Sequence, residues 1–133
     1  MDEIFPWIDR YNMNEEAIDR DHRKLVKLAN TFLTAFSEEK AQIVLNVVLD
    51  ELGDSARTHF KKEEKEMRKT DHAGFIIMKD HNDVLSREIR MFRDTYVDGK
   101  LSEEDVTSFV KEWVLRHMRL QRRVKNRKTS KTN

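Results

Sequence analysis

The hydrophobic positions of the chain recur every three or four residues, which is the period of a helix buried along one face. One such stripe runs from about Glu15 to Phe36, and a second begins near Ala41. A third follows residues 70–74, and a fourth opens near Ser102. The apolar positions that define the four stripes include Ile18, Leu25, Phe32, Leu45, Leu49, Leu52, Met78, Leu85, Ile89, Val106, Phe109 and Trp113. The pattern predicts four amphipathic helices.

The breaks between these stripes are short, at residues 37–40, 70–74 and 97–100. Short connections place successive helices antiparallel. Ser102 and Asp105 also have the spacing of a capping box at the start of the fourth helix. We therefore expect an all-α, up-down-up-down antiparallel four-helix bundle.

The predicted bundle forms one domain over residues 1–126, in a chain of 133 residues. Its first 14 residues contain Phe5, Trp7 and Tyr11, so we expect an N-terminal arm laid across the helices. Residues 127–133 are basic and polar, and we expect them to be disordered.

Composition narrows the class of protein. With 3 Gly and 1 Pro, the chain lacks the turn residues that a β-sandwich requires. With no Cys, it excludes disulfide scaffolds, cysteine-ligated zinc and thiol catalysis. No stretch reaches the ~20 apolar residues of a membrane span, and no signal-peptide pattern opens the chain. We expect a cytoplasmic location and no transmembrane segment.

A net charge of +1 hides a basic end, because residues 113–133 contain eight Lys or Arg and no Asp or Glu. A basic helix end favours an acidic protein partner or a membrane surface. It is equally typical of a solvated helix terminus, where cations face the negative end of the helix dipole. No aromatic residue follows Trp113, so base stacking on nucleic acid is not supported.

Four of the five histidines continue the apolar stripes, one on each helix, and a glutamate follows the second by four residues. Their distances from the turns agree to about one helical turn at ~1.5 Å per residue, so we expect them at one depth in the core. These candidate metal ligands are His22, His59, Glu63, His81 and His117. His72 falls in a predicted connection and should be exposed.

A single inward histidine is usually satisfied by a neighbouring polar group. Four at one level would compete for partners, and each unpaired buried group costs roughly 1–3 kcal/mol. A cation satisfies all of them together, and histidine and carboxylate side chains on bundle helices are a common metal-binding arrangement. The sequence therefore predicts a metal site.

The same residues resemble the bacterial hemerythrins, which are non-haem di-iron oxygen carriers with a four-helix fold. The resemblance rests on Trp7-x3-Tyr11, Ile18-Asp19-x2-His22-x2-Leu25, His59-Phe60-x2-Glu63-Glu64-x2-Met67, His81 and Trp113-x3-His117-Met118. It implies that His59 is a terminal ligand, that Glu63 bridges two metals, and that His81 is the later histidine of a third-helix pair.

Two positions depart from the pattern of that family. Ile77 stands where the first histidine of the third-helix pair is expected, and Arg122 stands where a second bridging carboxylate is expected. The resemblance then implies an incomplete site that holds one iron, or a weak asymmetric pair. Helical spacing alone favours Gln121 as the inward residue after His117, and neither residue is acidic. Zinc also suits imidazole and carboxylate ligands.

Three functions follow as hypotheses. The first is a hemerythrin-like metal protein that binds or senses O2, nitric oxide or iron. The second is a bundle that has lost its metal and contacts a partner through its basic C-terminal helix. The third, an oxygen-activating enzyme, is weaker because the sequence offers no nucleophile or further acid–base group at the level of the histidines, so we expect no enzymatic activity.

Overall fold

The computed structural model describes residues 3–96 and 101–131, with side chains described as far as residue 127. Its four helices are α1, Glu16–Ser37; α2, Gln42–Thr70; α3, His72–Tyr96; and α4, Glu103–Lys131. α1, α2 and α4 begin within one residue of the predicted positions, and no strand occurs in the described ranges. The break predicted at residues 97–100 lies outside the described residues.

The helices pack in a ring. α1 contacts α2 and α4, and α3 contacts the same two helices. The predicted antiparallel four-helix bundle is therefore confirmed. No helix in the described part of the chain is long and apolar enough to cross a membrane.

Hydrogen bonds within the chain satisfy the backbone groups at the helix ends, which keeps the described connections tight. After α1, Glu39 adopts a left-handed φ of 57°, and the Lys40 amide donates to the Ala35 carbonyl at 3.1 Å. Before α4, the Ser102 hydroxyl accepts from the Asp105 amide at 3.0 Å, as the predicted capping box requires. These contacts hold successive helices at fixed spacing.

The turn between α2 and α3 is shorter than predicted, because Asp71 alone separates the two helices. The Asp71 carboxylate accepts from the Gly74 amide at 3.1 Å and so caps α3 from its first turn. A Cβ at Gly74 would overlap that carboxylate, and only glycine allows the close approach. The predicted break at residues 70–74 is thus mostly helix.

The N-terminal arm is tied to the bundle. Phe5 is 2% exposed, its amide donates to Asn30 Oδ1 at 2.7 Å, and its carbonyl accepts from Asn30 Nδ2 at 2.6 Å. The Tyr11 ring meets Phe5 and Trp7 edge-on, at centroid distances of 6.2 and 5.3 Å. The hydrogen bonds to Asn30 fix the arm on α1, and the aromatic contacts hold the side chains of the arm together.

The C-terminal end of the bundle differs from the expectation of a disordered segment from residue 127. α4 continues to Lys131, and the Arg127 guanidinium donates to both carboxylate oxygens of Asp71, at 3.0 and 2.9 Å. This pair ties the end of α4 to the turn between α2 and α3. Residues 132–133 lie outside the described residues.

The apolar core is divided by a polar layer. A large cluster fills most of the bundle, where Trp113 donates its indole N–H to the Leu85 carbonyl at 2.8 Å. A small cluster of Met78, Leu120 and Val124 lies towards the end of the bundle that holds the C-terminus of α4. Along the helices, several buried polar side chains lie at the boundary between these two clusters. This layer contains four of the five predicted metal ligands: His22, His59, Glu63 and His117.

Candidate metal centre

Four buried side chains from three helices converge in the polar layer. They are His22 on α1, His59 and Glu63 on α2, and His117 on α4. One potential ligand atom from each lies within 4.8 Å of the others. Four of the five candidates from the sequence are therefore brought together.

The donor atoms of this cluster are close enough to share one cation. His59 Nε2 lies 3.0 Å from His117 Nε2 and 3.1 Å from Glu63 Oε2, and His117 Nε2 lies 3.5 Å from the same oxygen. Two ligands bound tetrahedrally at about 2.1 Å from zinc would lie about 3.4 Å apart. The ring of His22 completes the set, with centroids 5.1 and 5.5 Å from the other two imidazoles.

The cluster leaves buried polar atoms without partners. Neither ring nitrogen of His22 and neither carboxylate oxygen of Glu63 has a hydrogen-bond partner. The carboxylate lies at ion-pair distance from His59 and His117, but the angles do not form hydrogen bonds. A cation held by these atoms would satisfy them, so the residues present fit a metal ion with three nitrogen ligands and one oxygen ligand.

Asp21 orients the imidazole of His59. Its carboxylate lies 3.2 Å from His59 Nδ1 and 3.2 Å from the Lys62 ammonium. A carboxylate can only accept, so Nδ1 carries the proton and Nε2 turns its lone pair towards the cluster. Carboxylates commonly orient metal-bound histidines in this way.

Asn82 orients His117 in the same manner. Its side chain is 1% exposed, and its Nδ2 donates to Glu64 Oε2 at 3.0 Å. The amide oxygen must then face His117 Nδ1, which lies 3.1 Å away and donates to it. His117 Nε2 is left unprotonated and points at the cluster.

The protonation of the other two side chains also suits metal binding. Burial, together with the neighbouring His117 and His59, lowers the pKa of His22 to about 3. Burial acts to raise the pKa of Glu63, but His117 and His59 outweigh that effect and lower it to about 2. At neutral pH the cluster therefore offers a neutral imidazole at His22 and a carboxylate at Glu63.

The pKa of His59 shifts in the opposite direction to the pKa of His22. Burial acts to lower the pKa of His59, but the neighbouring carboxylates of Glu63 and Asp21 outweigh burial and raise it. In the absence of a cation, these two carboxylates thus favour a proton on His59. A bound metal would replace that proton.

His81 does not belong to the cluster, and the prediction that it faces the core is wrong. Its side chain is exposed, whereas Met78 and Asn82, four residues apart on α3, are buried at 0% and 1% exposure. The inward face of α3 is one residue out of register with the predicted one. The resemblance implies a pair of histidines on the third helix, but the buried positions of α3 hold no histidine.

A sequence signal for this register exists. Phe75, Asn82, Ile89 and Tyr96 follow one another at intervals of seven and are all buried. Asn82 is the one polar member of that series, so a search for apolar residues and histidines passes over it. His72, by contrast, is exposed as expected.

The fourth helix resolves the question between Gln121 and Arg122. Gln121 is 6% exposed and lies beside His22. Arg122 turns away, and its guanidinium donates to the backbone carbonyls of Asn12, at 3.0 Å, and Arg10. Helical spacing thus identifies Gln121 as the inward residue, and the contacts with the arm explain the outward direction of Arg122.

Comparisons with known proteins identify several relatives named bacteriohemerythrin. A protein named bacteriohemerythrin from Stenotrophomonas maltophilia is 23% identical over 116 residues, covering 87% of this chain and 75% of the relative. A bacteriohemerythrin from Clostridium acetobutylicum is 23% identical over 121 residues, covering 86% and 93%. One from Methylococcus capsulatus is 28% identical over 110 residues, covering 81% and 82%.

No solved structure shows a significant match to the chain. The sequence model of the hemerythrin HHE cation-binding domain, however, matches residues 13–124, a range that includes the end of the arm, α1 to α3, most of α4 and every residue of the cluster. On that match the chain belongs to the hemerythrin HHE cation-binding family.

Proposed function

We propose that this protein binds a single non-haem iron ion through His22, His59, Glu63 and His117, and that it binds or senses a small diatomic ligand such as O2 or nitric oxide there. The observation that carries the proposal is the unsatisfied set of buried donors. Three imidazoles and one carboxylate meet within 4.8 Å, and the atoms of His22 and Glu63 have no other partner.

One ion fits the charge of the site better than two. Glu63 is the single carboxylate of the buried cluster, and two divalent ions would bring a charge of +4. Met78, Asn82 and Gln121 occupy the buried positions where further ligands would be needed, and none of them is charged. Repulsion between two ions in a partly buried site costs several kcal/mol, so the second ion is not retained.

The surrounding residues prepare the ligands rather than react. Asp21 and Asn82 hold the Nδ1 protons of His59 and His117, which keeps both Nε2 lone pairs on the cluster. The Phe60 ring lies 4.6 Å from that of His117 and excludes water from one side. When bound, a ferrous ion supplies open coordination positions for a small ligand.

Reversible oxygen storage of the di-iron type draws one electron from each of two irons, which a single ion does not provide. We therefore favour ligand sensing or metal binding over storage. Zinc fits the same donors and would fill the site without redox chemistry. Among the described residues, no side chain of the buried cluster other than the ligands offers a nucleophile, so our proposal includes no enzymatic activity.

The alternative of a metal-free interaction module has less support. Several cations of α4 are engaged within the chain: Arg119 with Glu112 at 2.8 Å, Arg127 with Asp71 at 2.9 Å, and Arg116 with Glu88. Pairing of this kind leaves less free positive charge for an acidic partner than the sequence suggests.

Metal content tests the proposal. After anaerobic reconstitution with ferrous iron and removal of excess metal, we expect about one ion per chain. His117→Gln and Glu63→Gln should each lose most of it, because each removes a donor from a four-ligand set. His81→Gln is the matched control, a histidine on the exposed face of α3, and should retain the ion.

The outcomes separate the parts of the proposal. Two retained ions, or none, would contradict a mononuclear centre. If His81→Gln lost as much metal as the ligand variants, His81 would belong to the site and the register of α3 would be wrong. Retention of zinc but not of iron would keep the ligand set and remove the iron assignment.

A further inference from the structure

A cleft runs from the polar layer to the surface between α1, α2 and α4. Its volume is about 480 Å³. Its inner end is formed by His59, Glu63 and Gln121. Its walls include Ile18, Met67 and Val124. Sites for small organic molecules occupy roughly 300–1,000 Å³, whereas a molecule of water takes about 30 Å³ of liquid. The cleft is therefore much larger than a diatomic ligand requires.

The inner end of the cleft contains an unsatisfied acceptor. Gln121 is 6% exposed, lines the cleft, and its Oε1 has no hydrogen-bond partner. A buried carbonyl oxygen without a partner costs roughly 1–3 kcal/mol. A ligand that carries an O–H group into the cleft would remove that cost.

The charges at the rim of the cleft indicate a neutral ligand. Asp21 lies 3.2 Å from Lys62, and Lys125 pairs with Glu15. Glu66 adds a negative charge at the same rim. The two lysines are thus balanced by neighbouring carboxylates, and the rim does not favour an organic anion.

We infer that this cleft is a binding site for a small neutral phenol or alcohol. The apolar body of the ligand packs against Ile18, Met67 and Val124, and its hydroxyl donates to Gln121 Oε1. The methionine suits an aromatic ring, because a thioether makes favourable contacts with ring edges. The inference rests on the proposed function for the biological use of the site. It deepens that function by naming a class of ligand for the same polar layer.

Phenol is the probe. We expect a titration of 15N-labelled protein with phenol to give saturable shifts of amide signals around Ile18, Met67 and Gln121, in both the metal-free and the zinc-loaded protein. Toluene lacks the donor and benzoate carries a charge, so each should bind at least about tenfold more weakly than phenol, the equivalent of one lost hydrogen bond.

Two variants test the location. Ile18 is half-buried at the wall, so Ile18→Phe fills the cleft and should weaken phenol binding at least about tenfold. Val47→Phe is the matched control, at a position on α2 that is 54% exposed and outside the cleft, and should bind phenol as the unaltered protein does. Metal content should be the same in both variants, since neither position belongs to the ligand set.

The two proposals fail separately. Phenol shifts that do not saturate, that fall elsewhere, or that persist in Ile18→Phe would overturn the cleft while leaving the metal measurement intact. Toluene binding as tight as that of phenol would overturn the role of Gln121 and the ligand class. A protein that holds no metal but binds phenol in the cleft would overturn the proposed metal function and leave this inference standing.

Discussion

At the scale of single residues, the chemistry of the centre depends on side chains that would not themselves touch a metal. Asn82 illustrates this, because its amide is fixed between an acceptor, Glu64, and a ring nitrogen of His117. The acceptor on one side forces the amide oxygen to the other, and that oxygen sets which nitrogen of the imidazole is protonated. An asparagine thus determines that the lone pair of His117 is on the other ring nitrogen, Nε2.

Asn82→Leu removes the acceptor for the Nδ1 proton of His117 with little change in volume. We expect metal affinity to fall by about 10–100-fold, because the imidazole loses its orientation and its preferred tautomer. Competition with a chelator of known affinity measures the change. The double variant Asn82→Asp with Glu64→Gln reverses the hydrogen bond between these two side chains and keeps an acceptor for the Nδ1 proton of His117. It should therefore recover most of the affinity. A double variant as weak as Asn82→Leu would argue against this role.

At the scale of the elements, the register of α3 decides which residues can become ligands. Positions 75, 82, 89 and 96 lie on one buried line, together with Met78, and His81 lies beside that line in solvent. A shift of one residue turns a helical side chain by about 100°, which separates core from surface. The tie between Arg122 and the arm similarly leaves Gln121 as the inward residue of α4.

The register predicts how a second metal could be accommodated. The triple variant Met78→His, Asn82→His and Gln121→Glu places two imidazoles and a carboxylate on the buried lines of α3 and α4. We expect ions retained after dialysis against a weak chelator to rise from about one towards two per chain. The added carboxylate offsets the repulsion between two cations.

A matched control uses the neighbouring positions. Ile77→His with Arg122→Glu adds the same kinds of side chain where the structure has a 38% exposed residue and a contact with the arm. It should retain one ion. A second retained ion in the control rather than in the triple variant would show that the register of α3 is one residue away from the one described here.

At the scale of the whole molecule, contacts outside the apolar faces of the four helices hold the two ends of the bundle together. The arm brings Phe5 into the large apolar cluster and pairs both of its backbone groups with Asn30. At the opposite end, Arg127 joins α4 to the turn between α2 and α3. The polar layer lies between these two sets of contacts, so its buried side chains are held from both sides.

Asn30→Ala leaves the amide and the carbonyl of Phe5 without partners in a buried position. We expect the free energy of unfolding to fall by about 1–3 kcal/mol and the arm to be cleaved faster by a protease. Urea denaturation and timed proteolysis measure the two effects, and metal content should stay unchanged. Thr31→Ala, at an exposed neighbouring position, is the control. Cleavage of the arm at the same rate in both variants would contradict the pairing.

Much of the fold and part of the site could be predicted from the sequence for one physical reason. Apolar spacing reports directly which helix faces are buried, so three inward histidines and Glu63 followed from their positions in the stripes. Asn82 was missed because an amide is not distinguished from a surface residue by type. His81 was misplaced because it lies four residues before Leu85, whereas the buried line passes three residues before it.

The sequence alone determined four helices, their antiparallel order, the arm, and a histidine-rich layer, because helical periodicity and short connections act locally along the chain. The tertiary structure decided the register of α3, the direction of Arg122, and the tautomers set by Asp21 and Asn82. Those features depend on atoms that are up to 112 positions apart in the chain and meet only when the helices pack. Contacts of that kind are fixed by packing and hydrogen bonding in three dimensions, which no local pattern encodes.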